Sequence, residues 1–311
     1  MFKQLYIISG KIEGRGNYPL LFAFLPNKTK NIYIKLLQIL KSAVPHINCT
    51  YANMDFEPAA LAAWAEVYPE VDIHGCRFHF DQAIQRNIGR VGLQSQYREN
   101  ENGCKDYVKK IHGLSLIPPT DVAEAWVILN EDRPDLKNSA AKLEEFENYF
   151  MKTWLENPTY PIYLWNNHNI QDKTNNIAEG LHSKLLSYQL PKTPNIYFVI
   201  LVLQDLEFEA CRRLRQDEEQ RKYAAEIWTN KKLEEKIQSL QYRYNYFREN
   251  FYHTNYELYK TETLRVLKHL GYCSTKNDDI NKNNDEIKKR SAKKKKSSAN
   301  QRRRVVRNFL S

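Results

Sequence analysis

The chain lacks any run of 18 apolar residues, so the sequence gives no reason to expect a membrane-spanning helix. Its N-terminus has no basic stretch leading into an apolar one, and Met1 to Gly10 reads as a strand rather than a secretion signal. Cysteine is sparse. Cys49, Cys76, Cys104, Cys211 and Cys273 form an odd, irregularly spaced set, which excludes a disulfide framework and fits a reduced, intracellular protein. No internal repeat is present, and most of the chain carries no net charge. Twelve of the 47 basic residues and two of the 37 acidic ones fall in 281–311, leaving 35 of each in the rest. The formal charge of +10 therefore belongs to the last 31 residues, and overall basicity says nothing about what the body binds.

The order of elements is legible. Leu5-Tyr-Ile-Ile-Ser and Tyr18-Pro-Leu-Leu-Phe-Ala-Phe-Leu flank a glycine-rich turn and predict a hairpin. Asn31 to Ala43 places Ile32, Ile34, Leu36, Leu37, Ile39 and Leu40 on an apolar helical face. A third strand over 48–54 ends at Asp55. Pro58 opens an alanine-rich helix, where its missing N–H costs nothing. A fourth strand over 71–78 leads to a helix over 80–91. This alternation predicts an α/β fold, a mixed sheet flanked by helices. Residues from about 94 to 160 read as mostly helical, and 206–275 as a further helical part. From 276 onward the composition shifts to Asn, Asp, Lys, Ser and Arg, the mark of a disordered basic tail.

Asp55 stands at a strand end, where a rigid scaffold projects a side chain into a cleft. Glu179 follows Thr174 and Asn175, either of which can cap a helix start. Two such carboxylates suit Mg²⁺ or Mn²⁺, which favour hard oxygen ligands, and a pair of ions about 4 Å apart can stabilise both oxygens in a phosphoryl displacement. An Asp closing a strand is also a common turn or cap residue, and composition leaves both roles open.

Four segments in order sharpen the choice. Asp55-Phe-Glu57 runs into Pro58-Ala-Ala-Leu-Ala-Ala; Gly75-Cys76-Arg77-Phe78-His79 follows; then come Tyr163-Leu-Trp165-Asn166-Asn167 and Thr174-Asn175-Asn176-Ile-Ala-Glu179-Gly-Leu-His182. Together these resemble the catalytic domain of Mutator-like (MULE) DNA transposases, over roughly residues 1–205. The resemblance implies an RNase H-like core with a helical insertion at about 94–160. It also implies metal-dependent DNA cleavage and strand transfer by an Asp–Asp–Glu triad, with Asp55 and Glu179 as second and third acids and as Mg²⁺ or Mn²⁺ ligands. Glu57 is then a helix-start residue favoured by the macrodipole. The family's first acid lies on a strand preceding a segment like Phe2-Lys-Gln-Leu-Tyr-Ile-Ile, and the sequence begins past it. The expectation is an inactive, transposase-derived protein; the alternative is a non-catalytic nuclear DNA-binding or protein-interaction factor on the same framework.

Cys76 and His79 match the family's Cys-x-x-His element. The spacing is also half of a zinc site, but apart from nearby His74 no second ligand pair follows. A structural place at the edge of the acid cleft is the other reading, with His79 orienting a carboxylate or meeting a DNA phosphate. The tail carries Lys288, Lys289, Arg290, Lys293, Lys294, Lys295 and Lys296, then Arg302, Arg303 and Arg304. Such clusters predict nuclear import and weak, sequence-independent DNA contact. The charged helices beyond 206 read either as solvated packing helices or as a homo-oligomer contact.

Overall fold

The strand-forming runs at the N-terminus pair as a hairpin. β1 (Gln4–Ile12) and β2 (Gly16–Leu25) are antiparallel, from Gln4 opposite Leu25 to Ile12 opposite Gly16. The register shifts between Ile8 and Ser9, where Pro19 faces Ser9 without an N–H to offer the ladder. The structure, a computed structural model, describes residues 2–12, 16–46, 48–170, 181, 185, 187–188, 194–219 and 224–274. Glu179, Asn175, Asn176 and the whole basic tail lie outside the described residues.

Helix α1 (Lys30–Ala43) follows, then β3 (Tyr51–Met54), α2 (Pro58–Val67) and β4 (Asp72–Gly75). β3 and β4 are parallel, Tyr51 opposite Asp72 through Met54 opposite Gly75. α2 provides the crossover that a parallel pair requires. The single mixed sheet expected from the element order is not formed among the described residues; the four strands make two separate two-stranded ribbons. Each ribbon pairs strands close in sequence, antiparallel neighbours in one case and strands joined by a crossover helix in the other. Joining them would need a ladder between β1 and β3, which element order alone does not supply. The two ribbons nevertheless share one apolar layer. Tyr33, Leu37, Ala60, Ala63 and Trp64 from α1 and α2 are buried there, against Tyr6 and Ile8 of β1 and Ala52 and Met54 of β3. Trp64 Nε1 donates to Tyr6 Oη at 3.2 Å, tying α2 to the hairpin. On α1 the inward residues are Tyr33 and Leu37, one turn apart. Ile39, expected on that face, is 67% exposed, because it sits about 200° around the helix from Leu37.

α3 (Arg77–Arg90) starts three residues earlier than its apolar pattern suggested and buries Phe80, Ile84 and Ile88. The next stretch is helical as expected: α4 (Gln94–Glu99), α5 (Cys104–Gly113), α6 (Val122–Glu131), α7 (Ala140–Phe150) and α8 (Ile162–Trp165). Then come α9 (Ile196–Glu219), α10 (Ala224–Phe251) and α11 (Tyr256–Ser274). α11 belongs to the larger core: Val266, Leu267 and Leu270 pack with Val108 and Ile111 of α5 and Ile84 of α3. α5 and α11 run antiparallel and approach closely because both have glycine at the crossing. A Cβ at Gly113 would lie 2.2 Å from Leu267 O, and one at Gly271 1.7 Å from Lys109 O. No helix among the described residues is long and apolar enough to cross a membrane.

Candidate functional site at the end of β3

The chain leaves β3 at Asp55, and its next residue, Phe56, turns inward. A side chain on Gly75, opposite in β4, would collide with the Phe56 ring at 2.2 Å, so the glycine makes room for that ring. Phe56 stands edge-on to Trp154 and Tyr160, with centroids 5.0 and 5.6 Å away. Tyr160 Oη donates to Phe56 O at 3.1 Å. Aromatic contacts across about 100 residues of sequence thus hold the backbone beside Asp55, while its own carboxylate remains exposed.

Among the described residues the side chain that faces Asp55 is His79, in the carboxylate-orienting position open to it from the sequence, while Glu179 lies outside the described residues. His79 Nδ1 lies 2.9 Å from Asp55 Oδ1. The two groups approach at the distance of a charge-assisted hydrogen bond, though at an angle away from the ideal for one. Asp55 is the largest cause of a rise in the His79 pKa to about 10, with Cys76 adding to it and burial opposing it. At neutral pH His79 is therefore an imidazolium. Cys76, the residue before α3, is fully buried beneath the same ring, and His79 sits in the helix's first turn.

Residues that sequence reasoning missed complete the cleft, which has a volume of about 320 Å³. Gln82 and Arg86 join His79 from α3, and Trp154 and Tyr160 form the aromatic wall. The spacing 79, 82, 86 places all three on one helical face, a signal available in the sequence. Trp154 and Tyr160 carried no such signal, because they arrive from the helical insertion. The cleft thus sets two cationic groups, His79 and Arg86, beside the carboxylates of Asp55 and Glu57, with His79 already paired to Asp55.

Glu57 is directed elsewhere, as expected of a helix-start residue: its carboxylate accepts from Tyr33 Oη at 2.6 Å and pairs with Lys28 at 3.3 Å. His74 turns to Asp72 at 3.0 Å and stacks on Tyr51, so it does not join Cys76 and His79 as a zinc ligand. Among the described residues no three His, Cys, Asp or Glu side chains converge as metal donors. Of the two acids the sequence singled out, only Asp55 lies among the described residues, and a single carboxylate there provides one hard oxygen ligand, fewer than Mg²⁺ or Mn²⁺ takes from a protein site of this kind. Asn166 and Asn167 are buried scaffold residues: Asn166 Nδ2 donates to Ile117 O at 2.9 Å, and Asn167 N to Ser115 O at 2.7 Å.

Behind the cleft lies a buried polar chain that composition did not reveal. His112 Nδ1 is 2.5 Å from Asp81 Oδ1, Arg77 Nε is 3.7 Å from Asp81 Oδ2, and Gln85 Nε2 contacts His112 Nε2 at 3.2 Å. It links α3 to α5 and holds the helix that presents His79.

The ion pair has a pH signature. A pKa raised above the unfolded value of 6.5 stabilises the fold fully below that pH, and the benefit is lost as pH rises towards 10. Thermal unfolding from pH 6 to 10 should show this decline in the wild type and a flatter profile in His79→Gln. An equally steep decline in the variant would remove His79 as its source.

No family model, no curated protein and no solved structure matches this chain.

Proposed function

We propose that residues 1–311 carry an RNase H-like core related to Mutator-like DNA transposases, and act in the nucleus on DNA without cutting it. The observation that carries this reading is the placement of Asp55. It closes a strand, precedes a proline-led alanine-rich helix, and faces the histidine of Gly75-Cys76-Arg77-Phe78-His79 across a cleft. Those are the residues on which the resemblance rests. The shared helical layer over an antiparallel and a parallel ribbon supports an α/β core of this kind.

Within these residues the resemblance provides two of three acids, Asp55 and Glu179. A two-metal site assembled from these two acids alone has several kcal/mol less transition-state stabilisation than a full triad, so residues 1–311 by themselves are expected not to turn over. The tail's lysines and arginines provide phosphate affinity instead, independent of base sequence. The Asp55–His79 ion pair favours a second reading, a non-catalytic DNA-binding or protein-interaction factor, because a carboxylate held by an imidazolium is a poor metal ligand.

One measurement tests the inactivity common to both readings, and a second separates them. Supercoiled plasmid incubated with the chain in Mg²⁺ or Mn²⁺ should remain intact; nicking that disappears in Asp55→Ala would overturn the inactive assignment. Fe²⁺ with ascorbate and peroxide, used in place of Mg²⁺, should cleave the polypeptide near both residue 55 and residue 179 if the two acids share a metal site. Asp55→Asn should then abolish both cuts. Cleavage confined to one segment, or none, would sink the shared site and leave the non-catalytic factor.

A further inference from the structure

α9 is apolar on two opposite faces, and the fold uses only one. Val199, Val202, Leu203 and Leu206 are buried against Leu5, Phe22 and Phe24 of the hairpin. Facing away, Tyr197 is 75%, Leu201 47% and Phe208 69% exposed. Gln204 and Cys211 are exposed on the same side. Their positions, 197, 201, 204, 208 and 211, follow the alternating spacing of four and three residues of a coiled-coil seam. With Leu201 and Phe208 as a positions, Tyr197, Gln204 and Cys211 are d positions. The residues buried on the hairpin then all fall at b, c and f, on the opposite side.

We propose that this seam pairs α9 with α9 of a second copy of the chain, in parallel. Charge selects both the occupant and the direction. In a parallel pair each g residue meets the e residue five positions later on its partner. Glu207 is at g and Arg212 at e, and both are exposed, so each copy's Glu207 meets the other's Arg212, twice by symmetry. An antiparallel pair sets g against g and e against e, and does not bring them together. Gln204 at a central d position is a polar residue of the kind that fixes register at some cost in stability. Exposed Ile200, at g, widens the apolar strip. The seam spans two heptads, short for free peptides, but α9 is already held by the hairpin, so association orders no new helix. A parallel seam also brings the two Cys211 thiols face to face.

The test uses the full chain. Light scattering after gel filtration should show a dimer at micromolar concentrations. Leu201→Asp and Phe208→Asp should each give a monomer with an unchanged circular dichroism spectrum, since both positions are exposed. Glu207→Lys should weaken dimerisation about tenfold, and adding Arg212→Glu should restore it. A short bismaleimide should cross-link the wild type but not Cys211→Ser. A monomer at every concentration, or a dimer indifferent to Leu201→Asp and Phe208→Asp, would overturn the proposal. A dimer that resists cross-linking through Cys211 would overturn the parallel direction.

Discussion

Replacing Gly271 with alanine is expected to destabilise the fold by about 3 kcal/mol or more, the upper end of overpacking costs. The urea midpoint should fall with little change in slope, and the melting temperature should drop by on the order of 10 °C. The reason is that the added methyl meets backbone, not a side chain that can rotate away. It would sit 1.7 Å from Lys109 O, and the reciprocal methyl at Gly113 2.2 Å from Leu267 O. Relief requires α5 and α11 to separate, opening the packing of Val108, Ile111, Val266, Leu267 and Leu270. It would also strain the links from Lys268 and Tyr272 to Asp106, at 2.7 and 2.8 Å. Gly89→Ala is the control. Gly89 lies exposed near the end of α3 with its nearest neighbour at 3.6 Å, so alanine should be neutral or stabilising by about 0.5–1 kcal/mol. A Gly271→Ala protein as stable as Gly89→Ala would show that the two helices do not cross as closely as described.

Deleting 281–311 should reduce affinity for duplex DNA by about a hundredfold or more at low salt. The deletion takes twelve basic and two acidic residues and leaves a body with 35 of each. If six to ten of those bases contact phosphates, counterion release gives the intact chain a loss of about 10³–10⁵ in affinity between 50 and 200 mM salt. The truncated chain should show a much shallower dependence and, as a fluorescent fusion, lose most of its nuclear accumulation. Competing duplexes of different sequence should displace the intact chain equally well, since no aromatic residue except Phe309 lies in the tail to stack on bases. Residues 1–280 retaining strong, salt-sensitive binding would overturn the tail account. Affinity that then fell in Arg86→Ala would assign it to the cleft beside Asp55.

Local chemistry determined a good deal without a fold. Pro58 after Asp55 and Glu57 marked the strand end and the helix start to the residue, because proline at a helix's first position is a stereochemical signal needing no tertiary partner. The hairpin, the helical stretch after residue 94 and the uneven charge were likewise written in short-range pattern. Cys76 and His79 were legible as a pair through the Cys-x-x-His element of the resemblance, and the structure places them at the N-cap and in the first turn of α3. That His79 could orient a carboxylate was open from the sequence; that it meets Asp55 at 2.9 Å was decided by the tertiary structure. His79 reaches it only because Phe56, lodged on Gly75 and walled by Trp154 and Tyr160, fixes the turn between β3 and α2. The ion pair and the raised histidine pKa follow from that approach, and no spacing in the sequence contains a distance across space. The same holds for the two ribbons in place of one sheet, and for glycines 158 positions apart that let α5 and α11 meet. Strand pairing and helix crossing are set by which backbones can approach and satisfy one another, a property of the assembled chain that periodicity along it cannot encode.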